Sequence, residues 1–399
     1  VRRTLAALLL AAAPAAAQDF QVGSRAKGMG GSYTAFGDDP VAVWCNPAGT
    51  AQQASQFAIT FQSFTQYEFD SFSDPLPPVS VGEPEQGLLD PPISPSFAGV
   101  VYQAGDADLE MAVSLAYIRP FQIKYVYLYD DPDPLAPDLL SQTDQQFSRI
   151  RTAFGISFKL REGNGFLTRL ALGAAVDFVH TKYREIDQDP DPAADTQTYE
   201  DSESTAGIGA GLLATLVQSD AFQLDLGAAW NSEADFDFDL DKRIFPVWDW
   251  PALASAGLAV YLGEGYPFRL TVDAQWIAWE DAVGDPAPGL EGFDDTLSFS
   301  AGAEYRFTLR PSLWLFVRSG FKSYDTPWGS ESKLPALGQS RLTIETEGDR
   351  IEIFTAGLGL YWARKSADGQ SRVSGIDLAV ELFGETTYLM AVGFNYQFD

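Results

Sequence analysis

The stretch Thr387-Tyr388-Leu389-Met390-Ala391-Val392-Gly393-Phe394-Asn395-Tyr396-Gln397-Phe398 reads in two phases. Tyr388, Met390, Val392, Phe394, Tyr396 and Phe398 share one phase, greasy and aromatic. Thr387, Leu389, Ala391, Gly393, Asn395 and Gln397 share the other, mostly small or polar. Side chains alternate across a β-strand, so this is a strand with one apolar and one mixed face. The preceding stretch repeats it: Ile376, Leu378, Val380 and Leu382 alternate with Gly375, Asp377, Ala379 and Glu381. The same period-two pattern occurs at Phe154–Leu160, Phe222–Trp230 and Phe268–Trp276.

Working outward, about fourteen such segments are predicted. They span 55–68, 95–104, 108–120, 147–160, 166–182, 204–217, 221–232, 253–263, 267–279, 293–307, 312–324, 350–364, 372–383 and 386–398. Each is long enough to cross a bilayer at a tilt, which takes roughly 9–11 residues. Connections on one side are short, such as Gly105-Asp106, Ser219-Asp220 and Arg310-Pro311. Those on the other side are mostly long: 69–94, 121–146, 183–203, 233–252, 280–292 and 325–349, with only Gly384-Glu385 short. Tight turns on one side and long loops on the other are the pattern of outer-membrane barrels. A soluble β-sandwich does not require that asymmetry. The fold class predicted is all-β: a 14-stranded antiparallel transmembrane β-barrel.

The N-terminus carries Arg2, Arg3, an apolar run and Ala15-Ala16-Ala17, so residues 1–17 read as a secretory signal peptide. The formal net charge is −29, which excludes nucleic acid as a partner. Much of the acid falls in the long loops, as in Glu185, Asp187, Asp189, Asp191 and Asp195. These loops form a solvated, self-repelling surface, or a site for divalent cations bridging to lipopolysaccharide. One cysteine, Cys45, allows no intrachain disulfide, and one histidine, His180, falls in the lipid-facing phase of its strand. No cofactor, metal site or catalytic group is expected. Trp230, Trp276, Trp279, Trp362 and Tyr388, near strand ends, are expected in interfacial girdles.

Residues 18–54 do not read as a barrel strand. They contain Gly28-Met29-Gly30-Gly31, the acidic pair Asp38-Asp39 and Asn46-Pro47-Ala48-Gly49. This resembles the N-terminal plug, or hatch, of the FadL/TodX family of outer-membrane transporters. Gln275-Trp276-Ile277-Ala278-Trp279 and Arg318-Ser319-Gly320-Phe321-Lys322-Ser323-Tyr324-Asp325-Thr326-Pro327 look like later parts of the same family. The resemblance implies three parts: a signal peptide over 1–17, a plug inside the lumen over 18–54 and a barrel over 55–399. It implies an outer-membrane location and passive uptake of fatty acids, hydrocarbons or other hydrophobic small molecules. Outer-membrane lipid, lipopolysaccharide and the barrel-assembly machinery are the further partners. Gly28, Gly30, Gly31, Asp38, Asp39, Asn46, Pro47, Ala48 and Gly49 become the plug and gating residues. The Gly-Met-Gly-Gly form also looks like the type IX secretion shuttles of the same superfamily, so a secretion shuttle remains an alternative, as does a structural or adhesive barrel with acidic external loops.

A fatty acid tail gains about 0.8 kcal/mol per buried methylene, and its carboxylate suits the arginine fork. By strand phase Arg149, Arg151, Arg269, Arg306 and Arg318 face the lumen. Arg149, Arg151 and Arg318 are the ligand-binding candidates, with Phe36 and Phe121 as apolar contacts. Against this stands pairing with lumen carboxylates: hairpin counting places Arg149 roughly opposite Asp177, and Glu304 shares the lumen phase.

Overall fold

The computed structural model describes residues 21–62, 67–69, 94–106, 108–120, 122–129, 139–161, 165–188, 197–237, 249–282, 294–325, 332–333, 343–344, 350–365, 371–383 and 387–398. Fourteen antiparallel strands form a closed barrel. They are β1 (Gln56–Gln62), β2 (Ser94–Gly105), β3 (Leu109–Ile118), β4 (Leu139–Lys159), β5 (Gly165–Gln188), β6 (Gln197–Ser219) and β7 (Phe222–Asn231). The ring continues with β8 (Leu253–Leu262), β9 (Phe268–Ile277), β10 (Thr296–Arg310), β11 (Leu313–Asp325), β12 (Arg350–Lys365), β13 (Ser371–Phe383) and β14 (Thr387–Gln397). Each strand pairs with its successor, and β14 returns to pair with β1, Phe57 opposite Tyr396. Closure removes the unpaired edge, the condition for a sheet in hydrocarbon.

The two phases sort as the alternation requires. On β5, Leu172, Val176 and Phe178 are exposed while Ala171, Ala175, Asp177 and Val179 are buried. On β14, Phe394 and Tyr396 are exposed while Leu389 and Ala391 are buried. Exposed large apolar residues recur around the ring, among them Val113, Phe154, Val272, Phe307, Phe354 and Leu378. An apolar outer surface of this extent needs lipid.

Several strands run past the expected ends. β5 and β6 continue to Gln188 and from Gln197, so Glu185, Asp187, Glu200, Asp201 and Glu203 lie on paired strands rather than in a loop. The expected loop 121–146 contains a strand, Gln122–Tyr129, that pairs with the start of β4. Above the bilayer both faces meet water, so the period-two signal fades while the hydrogen-bond ladder continues. Beyond β7, the described residues 232–237 do not continue as a strand. Only Ala234 makes a bridge there, to Trp250, and residues 238–248 lie outside the described residues.

Residues 22–53 lie within the ring, because their atoms meet strands on every side of it. This inner segment holds a helical turn α1 (Ser24–Lys27), a second α2 (Ala42–Cys45) and a 3-10 turn, Pro47–Gln52. Wall glycines receive its backbone at one level. A Cβ on Gly320 of β11 would lie 2.2 Å from the Gly30 nitrogen, and one on Gly173 of β5 would lie 2.3 Å from the Ala48 nitrogen. Gly227 on β7 meets the Thr34 carbonyl in the same way, and Gly302 on β10 meets that of Met29. These glycines are register neighbours: Gly302 pairs with Gly320, and Gly173 pairs with both Gly155 and Gly211. Only a residue lacking Cβ permits so close an approach. Gly30 and Gly31, at φ +68° and +79°, turn the chain after α1 in a conformation other residues resist.

Candidate functional site

Asn46 organises the end of the inner segment. Its Oδ1 accepts from the Ala48 N–H, 3.1 Å, which starts the 3-10 turn. Its Nδ2 donates to the Thr34 carbonyl, 2.8 Å, and to the Leu212 carbonyl of β6, 2.9 Å. One side chain thus joins two parts of the segment to the wall. Pro47 fixes the backbone at the first turn position, where it loses no needed donor. Asp273 of β9 accepts from both the Tyr33 and Thr34 N–H groups at 2.7 Å.

Toward the short-turn rim, charges fix the segment. Arg25 donates from Nε and Nη2 to Glu304 of β10 at 3.0 and 2.9 Å, and from Nη1 to Asp38 at 2.7 Å. Arg269 of β9 bridges Asp38 and Glu304 at 2.8 and 3.1 Å. Arg318 of β11 joins Glu304 to Asp377 at 2.7 and 2.6 Å. Arg25, Arg269 and Arg318 therefore balance Asp38, Glu304 and Asp377 charge for charge. Lys27 pairs separately with Glu381 of β13, 2.7 Å. Burial acts to raise the Asp38 carboxyl, but Arg25 and Arg269 outweigh it and hold the group below its usual range. Burial pushes Asp39 up to about 6; Arg25 opposes the rise and Asp38 adds to it. Asp39 accepts from the Tyr33 hydroxyl and from the Val41 N–H.

Toward the long-connection rim, a layer of apolar side chains lines the lumen, with Gln145 and Thr181 buried beside it. Phe97, Ile118, Phe147, Val179, Trp250 and Ile277 are fully or almost fully buried there. Phe147 lies edge-on to Trp250 at 6.0 Å, and Trp250 packs at 90° to Trp44 of the inner segment at 5.9 Å. The layer meets the segment through two arginines. Arg151 binds Asp177 through Nε and Nη2 at 2.7 Å, and donates from Nη1 to the Val43 and Trp44 carbonyls. Arg149 reaches Asp177 only through Nη1, 3.2 Å, and its guanidinium lies between Trp44 and Trp250, at 5.3 and 4.2 Å from the ring centres. Its Nε and Nη2 have no hydrogen-bond partner among the described residues.

The candidates named from sequence thus separate. Arg151 is engaged with Asp177 and backbone carbonyls, and Arg318 with Glu304 and Asp377 while its Nη2 stays unbonded; Arg149, on Asp177 through Nη1 alone, keeps two unbonded donors. Arg151, not Arg149, stands opposite Asp177 in the ladder, one side-chain repeat from the expected register. Phe36 is buried beneath Arg25 and Arg269 and stacks on Tyr261 at 5.8 Å, near the short-turn rim rather than in the apolar layer. Phe121 lies outside the described residues. Gly28, Ala48 and Gly49 are buried contacts of the inner segment. Trp230 and Trp276 are exposed as a girdle requires, whereas Trp279 is 0% exposed. A helical turn at Trp279–Ala282 ends the strand before that residue, so the alternation no longer sets its direction. The side chain of Tyr388 lies outside the described residues. His180 shares the lipid-side phase and contacts Ser204 at 2.9 Å.

The residues missed from sequence are Arg25, Lys27, Trp44 and Trp250. A signal for the first two existed. Glu304, Asp377 and Glu381 all fall in the lumen phase, and buried acids demand cations; Arg25 and Lys27 are the only cations between residues 18 and 54.

No protein-family model matches the chain, and no curated protein sequence matches it. Solved structures match it in fold. A Pseudomonas aeruginosa FadL homologue superposes at TM-score 0.54 with 16% identity, covering 95% of this chain and 100% of that one. The CymD monoaromatic hydrocarbon channel gives 0.54 and 14%, covering 96% and 98%. The Ralstonia pickettii toluene transporter TbuX gives 0.53 and 15%, covering 96% and 100%. At these identities the likeness is one of fold, and it extends over nearly the whole chain.

Proposed function

We propose that this chain is a passive outer-membrane channel for hydrophobic small molecules, closed at rest by its inner segment acting as a plug. The observation that carries the reading is the apolar layer inside the barrel. A water-filled pore lines its lumen with polar groups; here Phe97, Ile118, Phe147, Val179, Trp250 and Ile277 turn inward. Apolar molecules enter such a layer by area alone, at about 25 cal/mol per Å² removed from water. The fold shared with structures described as a FadL homologue, a monoaromatic hydrocarbon channel and a toluene transporter supports the same class of cargo.

In this reading the glycine level and the charge cluster hold the plug, and Asn46–Gly49 anchors it. A molecule passes when the segment shifts. Arg149 is the group that receives a carboxylate, since it meets Asp177 through Nη1 alone and keeps two donors unbonded, beside the aromatic rings of the apolar layer. A long-chain fatty acid is then retained by its tail in the apolar layer and its head on Arg149.

Two measurements test this. Cells lacking the protein should take up long-chain fatty acids or alkylbenzenes more slowly than cells that carry it; equal rates end the proposal. With purified protein, Arg149→Gln should weaken binding of a fatty acid about tenfold or more, the worth of a charge-assisted hydrogen bond, and leave its parent hydrocarbon unchanged. Equal loss for both would remove Arg149 from the binding role.

A further inference from the structure

A second site lies on the other side of the inner segment. A cavity of about 260 Å³ opens at the short-turn rim. Arg25 and Asp38 of the inner segment form its floor. Arg269, Arg306, Trp314, Phe316 and Tyr361 are among its walls, together with polar residues of β1 and β14.

The charges do not balance inside it. Asp38, the one carboxylate among its lining residues, is held by Arg25 and Arg269. Glu304, 1% exposed behind them, takes the remaining charge of that pair. Arg306 is left over. Its Nη2 donates to the Gly265 carbonyl at 2.6 Å, its Nε is buried without a hydrogen-bond partner, and it makes no ion pair among the described residues. Beside it is an aromatic wall in which Phe316 packs edge-on to Tyr361 at 4.9 Å, with the Tyr361 hydroxyl engaged by Asp377. A cation with no ion pair among the described residues, next to aromatic side chains, in a chain of net charge −29, is a specific feature rather than a share of a general basic surface.

We propose that this cavity binds a small monocarboxylate carrying an aromatic ring. The carboxylate bonds Arg306, and the ring lies against Trp314 and Phe316. The volume sets the scale: about 260 Å³ accommodates a single-ring acid such as benzoate. An uncharged ring leaves Arg306 unsatisfied. The site is separated from the apolar layer by the inner segment. It stands whether or not that layer carries hydrocarbons.

The test is calorimetric titration of the full-length protein in lipid nanodiscs with sodium benzoate, benzamide and toluene. Benzoate should bind with at least tenfold higher affinity than its neutral isostere benzamide. Arg306→Gln should reduce benzoate affinity tenfold to a hundredfold, the range for a hydrogen bond to a charged group, and should leave benzamide unaffected. Arg310→Gln, an exposed arginine at the same rim that does not line the cavity, should change nothing. If Arg306→Gln does not fold, Trp314→Leu reports instead, lowering affinity for benzoate and benzamide alike. No saturable benzoate binding by the parent, equal affinity for benzamide, or benzoate binding undiminished in the Arg306 or Trp314 variant would each overturn the assignment.

Discussion

Replacing Glu304 with glutamine should loosen both the barrel wall and the inner segment. Glu304 accepts four bonds from three guanidinium groups: two from Arg25, one from Arg269 and one from Arg318. The carboxylate is 1% exposed, so water does not replace what is lost. In the parent the cluster of Arg25, Arg269, Arg318, Asp38, Glu304 and Asp377 is neutral. Glutamine leaves one buried positive charge and turns an amide N–H₂ toward arginine donors. Removing one partner of a buried ion pair costs about 3–5 kcal/mol, a shift of a hundredfold to several thousandfold. Some of that cost falls on the wall, through Arg318, and some on docking of the segment, through Arg25. Urea unfolding in lipid vesicles, followed by tryptophan fluorescence, measures the total. Conductance across a planar bilayer measures the docking part, as more frequent ion-conducting openings. Arg25→Gln in the same chain restores neutrality, so the double variant should cost less than the two single costs added, by roughly 0.5–3 kcal/mol. A Glu304→Gln protein within about 0.5 kcal/mol of the parent, silent in bilayers, would mean that Glu304 holds neither the wall nor the segment, and strict additivity would mean that it does not act through Arg25.

The glycine level gives a steric prediction: Gly320→Ala places a methyl 2.2 Å from the Gly30 nitrogen. It should expose the inner segment to added protease, while the outward-facing Ala301→Gly should not. Asp39 gives a prediction in pH. Its folded value of about 6 lies above the unfolded ~3.9, so the folded state holds the extra proton between these values. Stability from this group is present below pH 4, falls as pH rises to about 6, and is level above. Asp39→Asn should remove that slope, worth roughly 3 kcal/mol in full, seen as the difference between the two unfolding profiles; parallel profiles would contradict it. Asn46→Ala leaves the Thr34 and Leu212 carbonyls and the Ala48 N–H without their bonds. About 2–4 kcal/mol of destabilisation is expected in the same unfolding assay.

The strands were legible because lipid imposes one rule on every one of them. Leu172, Val176 and Phe178 must face out, so Gly173, Ala175 and Asp177 must face in, and the period is written into the chain. Where lipid ends, the rule ends: Gln122–Tyr129 and the outer halves of β5 and β6 form ladders that period-two patterning does not announce. Trp279 shows the same limit, since a helical turn after Ile277 breaks the phase. The site was legible in part. Lumen-phase Arg149, Arg151 and Arg318 could be named, and so could Asp177 and Glu304. Their pairing could not, because it depends on strands far apart in sequence and on where the inner segment lies. Arg25 and Glu304 are 279 residues apart. The distinction between Arg151, saturated by Asp177 and backbone carbonyls, and Arg149, with donors to spare, exists only in three dimensions.

The proposed function places hydrophobic cargo in the apolar layer inside the barrel. Light-activated labelling with a diazirine-bearing long-chain fatty acid, in nanodiscs and followed by peptide mass spectrometry, tests it directly. β5 supplies the internal comparison, since Val179 faces the lumen and Val176 and Phe178 face lipid. Adducts are expected on Phe147, Val179 or Trp250, and they should disappear when excess unlabelled acid is added. Adducts confined to Val176, Phe178 and other outward residues, unchanged by competitor, would contradict that placement.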